Sequence, residues 1–121
     1  MPTAHTSKRF DAELQAIRSL ILKMGGLVEG QLTSAVARLG RSEAGSLESI
    51  RATEQQINAL QMQIDQSCSQ IITKRQPAAV DLRTVMTFEK TANELERIGD
   101  EAKKVALTQL RQLAPKILLS A

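Results

Sequence analysis

The chain has 121 residues, 42% of them hydrophobic, with 16 Lys and Arg against 13 Asp and Glu for a formal charge of +3. That length allows one domain with a modest core, and two Phe without any Trp or Tyr favour aliphatic helix-on-helix packing over sheets. The small basic excess is scattered, with no stripe or module of the kind nucleic-acid binding needs, and no apolar run approaches the roughly 20 residues that cross a bilayer.

The opening stretch, "MPTAHTSKRF", holds the only histidine, His5, and lacks the apolar segment of a signal peptide. It predicts a flexible tail over residues 1–6 of a cytoplasmic protein. A first helix is predicted over about 7–40, where apolar residues recur at Phe10, Leu14, Ile17, Ile21, Met24, Val28, Leu32, Ala35 and Leu39. Steps of three and four mark a helix packed along its length, with one four-four stutter at Leu32. Gly25 and Gly26 interrupt the stripe, each at about 1 kcal/mol relative to Ala, which predicts close helix–helix approach in preference to a hinge.

"GRSEAGS", Gly40 to Ser46, breaks the first helix and offers caps for a second over about 46–75. Its seam runs Leu47, Ile50, Ile57, Leu60, Ile64, Cys68 and Ile71, and Lys74 and Arg75 suit its C-terminus. Cys68, the only cysteine, permits no disulfide within the chain and reads as a small core residue rather than a nucleophile. Pro77 suits the first turn of a third helix over about 78–113, with its seam at Leu82, Val85, Phe88, Ala92, Leu95, Gly99, Ala102, Ala106, Leu110 and Leu113. Pro115 is taken as its end, leaving a C-terminal tail over 115–121. Three long helices joined by short connections make an all-α, antiparallel three-helix bundle over 7–114.

Two polar stripes then stand out. On the third helix Glu89, Asn93, Glu96 and Asp100 step by four, three and four; on the second, Glu54, Asn58, Gln61 and Asp65 nearly repeat the pattern. A short turn near Gln76 pairs residues whose numbers add to about 153, setting Glu54 level with Asp100, Gln61 with Asn93, and Asp65 with Glu89. Oxygen-rich stripes without thiols or imidazoles suit hard cations such as Mg²⁺, Ca²⁺, Mn²⁺ or iron. They also suit a solvated face laced by ion pairs, for Lys104 lies one turn beyond Asp100 and Arg97 one turn before Glu101. Spacing leaves both readings open. Catalysis is disfavoured, because no histidine base or Glu-x-x-His pair is available.

Four stretches taken together resemble one family. "MGGLVEGQL" (Met24–Leu32), "INALQMQID" (Ile57–Asp65), "IITKRQPAAVDLR" (Ile71–Arg83) and "NELERIGDEA" (Asn93–Ala102) are similar, in order, to the PhoU family of bacterial phosphate-signalling regulators. The resemblance runs from about Phe10 to Leu113.

It implies a non-enzymatic, all-α protein of two three-helix repeats that binds metal through acidic motifs and couples a phosphate ABC transporter to a sensor histidine kinase. Glu96 and Asp100 match the metal motif of the third helix, while Asp65, Glu54, Glu89 and Asn93 are weaker candidates. The implied cofactor is a divalent or trivalent ion: Mg, Mn, Fe or Zn. Gln61 departs from the pattern by standing where an acid is usual. A single repeat is present, so "KILLSA" reads as the start of a missing second one, and a homodimer is expected to stand in for it. The expected function is an adaptor that binds the transporter ATPase and the kinase, repressing the phosphate-starvation response. It would be cytoplasmic, or peripheral at the inner membrane through its partners, without inserting itself. The alternatives are a metal-binding accessory protein and a non-functional fragment of a two-repeat PhoU.

Overall fold

Heptad-like apolar spacing gives each segment one stripe to bury, and three such stripes close on each other. In the computed structural model the described residues are 4–37 and 47–120, with side chains described for 8–37 and 47–112. They form α1 (Ala4–Ala37), α2 (Leu47–Arg75) and α3 (Ala79–Ser120), and each helix packs against both others. Val28 lies beside Gly99 and Arg18 lies over the Phe88 ring, so α1 and α3 run parallel. Arg75 reaches back to Glu13, so α2 runs antiparallel to both. The architecture is the all-α three-helix bundle that the sequence predicts.

The larger core cluster joins Phe10, Ile17, Met24 and Val28 of α1 to Ile57, Leu60, Ile64, Cys68 and Ile71 of α2, closed by Val85 and Ala92 of α3. A smaller one, Ala35, Ile50 and Ala106, lies toward the other end of the bundle. Burying an aliphatic side chain of this size is worth about 1.5–3 kcal/mol each, so the larger cluster is the main source of cohesion.

At the α2–α3 corner Gln76 adopts a left-handed φ of 45°, and its N–H bonds the Ile72 carbonyl at 3.2 Å. This is a helix C-terminal cap made without glycine. Pro77 lies outside α3, which begins at Ala79, rather than in its first turn.

Several expectations need correction. The helix α1 begins at Ala4, inside the predicted tail, because nothing in that polar stretch breaks a helix. Pro115 does not end α3, which runs on to Ser120. An interior proline removes one hydrogen bond and need not stop a helix flanked by good helix formers. Leu32 is exposed, and Gln31 takes the buried slot between Val28 and Ala35. Met24 to Val28 is already a step of four. A second step of four, to Leu32, carries the side chain about 80° around the helix from Met24, past the core, whereas a step of three from Val28 turns back toward it. Leu47 is exposed as well.

The glycine pair is not a close contact. A Cβ on Gly25 would sit an ordinary 4.0 Å from Leu95 Cδ1, and one on Gly26 would meet open space. The tight approach is at Gly99, where a Cβ would lie 3.4 Å from both Ile57 Cδ1 and Val28 Cγ2. Leu39, Leu113, His5 and the break at Gly40–Ser46 fall outside the residues whose side chains are described.

Candidate functional site

The two polar stripes face each other along the α2·α3 seam, in the register that a short corner at 76–78 imposes. At its middle, Gln61 Nε2 donates to Asn93 Oδ1 at 2.9 Å. One level toward the corner, the Asp65 carboxyl lies within hydrogen-bonding reach of Glu89 and raises the Glu89 pKa, with partial burial adding to the effect. One level the other way, Lys103 Nζ donates to Glu54 Oε1 and lies 3.2 Å from Asp100 Oδ1. The three expected pairs therefore share one register. The antiparallel pairing is set by the corner, and helix spacing carries it along the seam.

Electrostatics differ along the ladder. Lys103 and Lys104 bond to Asp100 and hold its carboxyl below the ordinary range, with Lys104 Nζ 3.3 Å from Oδ2. The Glu54 carboxylate is the first cause that raises the Lys103 ammonium, and Asp100 adds to it. At the Asp65–Glu89 level no cation among the described residues pairs with either carboxyl, and the neighbouring acid makes the charged form of Glu89 harder to reach. Cys68, one turn beyond Asp65, is fully buried and its Sγ lies 3.8 Å from the Val85 carbonyl. Burial first, and then the charges of Glu89 and Asp65, push its thiol up to about 11. It is an inert core thiol, as its position in the apolar seam predicts.

Of the expected metal residues, Glu54 and Asp100 meet at one lysine, Asp65 meets Glu89, and Asn93 meets Gln61. Glu96 is half-buried on the same flank, with no hydrogen bond or ion pair to another described residue. Among the described residues, no group of three or more His, Cys, Asp and Glu is arranged to hold a metal ion. At the Glu54–Asp100 level the donor set does not fit a hard cation, because an ammonium already sits between the carboxylates.

Sequence spacing missed Lys103. The signal was available: a residue three beyond Asp100 keeps to the flank facing α2, while Lys104, at four beyond, turns outward. Arg97 pairs with Glu94 at 3.6 Å on the surface, and Asp81 lies in the first turn of α3, where the helix dipole favours it. Glu29 is exposed. Arg75 makes a bidentate pair with Glu13, at 2.9 and 3.2 Å, which fastens the end of α2 to α1.

The opposite flank is apolar. Leu32 and Val36 on α1, with Ile98 and Val105 on the α1-facing side of α3, are all exposed. The parallel register of Val28 with Gly99 puts these four on the two sides of the α1·α3 seam. Among the described residues no helix is long and apolar enough to cross a membrane.

With the seam and its register in view, known proteins place the chain. The family model of the PhoU domain matches residues 21–108, which include the glycine pair, both polar stripes and the corner. The chain belongs to the PhoU family. It is 46% identical over 104 residues to the phosphate-specific transport system accessory protein PhoU homolog of Pseudomonas putida, covering 86% of this chain and 41% of that protein. For the homolog of Pseudomonas aeruginosa the identity is 47% over 104 residues, covering 86% and 43%. For the PhoU protein of Escherichia coli K12 it is 41% over 110 residues, covering 91% and 46%. The chain thus spans a little under half the length of the curated relatives it matches. No solved structure is significantly similar to it.

Proposed function

We propose that the chain is a PhoU-type regulator of phosphate transport, a non-enzymatic adaptor that binds the ATPase of a phosphate ABC transporter and a phosphate-sensing histidine kinase. It favours the repressing state of the kinase while phosphate is plentiful, by binding that state more tightly than the other. The observation that carries this reading is the PhoU domain match over 21–108, a span that includes both polar stripes of the seam. The relatives' names supply the transport system, and the polar α2·α3 flank is the face this reading offers to those partners.

In this reading the α1·α3 flank, with Ile98, Val105, Leu32 and Val36 exposed, accepts a second copy of the chain. Contiguous exposed aliphatics on a small protein mark association surfaces, and two-fold dimers are the commonest closed assembly. Light scattering of the purified chain is expected to give twice the chain mass; a monomer at micromolar concentration sinks this part.

The regulatory reading is tested by expressing the chain in a bacterium that lacks its own PhoU and carries a phosphate-starvation reporter. Restored repression in high phosphate is the expected result. Full derepression, with the chain folded and abundant, overturns it. A metal-binding accessory role has less support, because the amide pair and the lysine bridge already satisfy much of the seam.

A further inference from the structure

The seam already holds a cation, and it is a side chain. Lys103 Nζ bonds both Glu54 on α2 and Asp100 on α3, so one ammonium ties the two stripes together. Its side chain is only 21% exposed, which limits solvent screening of the attraction. Lys104 takes the other oxygen of Asp100, so both oxygens of that carboxylate face an ammonium.

A hard divalent ion needs several oxygens that converge on one point at about 2.0–2.6 Å. Among the described residues, the carboxylates that bridge α2 and α3 with a cation between them, Glu54 and Asp100, are closed by Lys103, and Gln61 and Asn93 bond each other. Lysine relieves the same repulsion that a bound metal would relieve, and it is tethered, so it is present at any metal concentration.

We infer that Lys103 is a built-in counter-ion that takes the place of a metal between Glu54 and Asp100, and that its ammonium and a divalent cation exclude each other there. This separates the chain from the metal binding that its family resemblance implies. It concerns cation binding alone, and stands or fails apart from the transport reading.

Calorimetric titration of Mn²⁺ into the purified chain and into Lys103→Met tests it. The methionine keeps an unbranched chain, one heavy atom shorter, and removes the charge. Lys103→Met is expected to bind Mn²⁺ at least about tenfold more tightly than the unaltered chain, a difference of about 1.4 kcal/mol. Adding Glu54→Gln should abolish the gain, and Lys103→Arg should match the unaltered chain. Equal affinities for the unaltered chain and Lys103→Met, whether both tight or both undetectable, overturn the inference. So does a gain that survives Glu54→Gln, because the ion then sits elsewhere. If Lys103→Met does not fold, the readout becomes the helical circular dichroism regained on adding Mn²⁺. Regain supports the inference and its absence overturns it.

Discussion

The α2·α3 and α1·α3 seams are built from the same helix, yet they close in opposite ways. Along α2·α3 the flanking residues are polar and meet in pairs: lysine with two carboxylates, amide with amide, acid with acid. Along α1·α3 the helices pack closely at Gly99, where a Cβ would lie 3.4 Å from Val28 of α1 as it would from Ile57 of α2, and the flank outside is aliphatic and exposed. One seam is specified by partner chemistry, and a one-turn slip would leave its charges unmatched. The other is specified by shape. A bundle with both devices has its register fixed on one side and its spacing on the other.

The largest expected break is on the shape side. Gly99→Val adds two methyl groups beyond a Cβ that would already lie 3.4 Å from Ile57 and Val28. It should cost about 1–3 kcal/mol in urea unfolding, and an unchanged midpoint would show that the seam is looser than its geometry. Gly26→Ala sharpens the contrast, since its Cβ enters open space. Replacing an interior helical glycine there should stabilise the chain by up to about 1 kcal/mol, and a loss would mean that Gly26 serves a contact.

On the chemical side the effects are smaller. A double-mutant cycle of Gln61→Ala and Asn93→Ala should return a coupling of about 0.5 kcal/mol, because their hydrogen bond is largely exposed. Zero coupling would reduce this level of the ladder to two independently solvated amides.

The smallest effect is a change in the shape of the pH–stability curve. The Glu89 carboxyl is raised in the folded chain, so the native state binds its proton more tightly. Its contribution is full below the ordinary glutamate range and is lost as pH rises through the raised value. Glu89→Gln should therefore gain Tm relative to the unaltered chain as pH rises above the ordinary glutamate range. Asp100 is lowered, so its contribution is present above the ordinary aspartate range and is lost on acidification through the lowered value. Asp100→Asn should flatten that acid limb. Parallel pH curves for all three proteins would remove the electrostatic distinction between the two ends of the seam.

Much of this molecule was legible beforehand because its signals are long. Apolar steps over some thirty residues leave little doubt about a helix, and a short corner fixes the register of its two helices. The pairs Glu54–Asp100, Gln61–Asn93 and Asp65–Glu89 followed from that corner alone. Less legible was which of two adjacent residues turns inward. Gln31 lies buried with both side-chain polar atoms lacking a described partner, where an apolar rule selects Leu32. Lys103 was missed for a related reason, since Lys104 stands at the more familiar spacing of four.

The sequence by itself determined that three long helices form, where α2 meets α3, and which residues face one another across that corner. Those features are local, or one turn removed from local, and spacing encodes them directly. Only the tertiary structure decided that Gly99 rather than Gly25 or Gly26 is the point of close approach. It also decided that an ammonium sits where the sequence left room for a metal. Both depend on what the neighbouring helix places opposite, and no single helix records that.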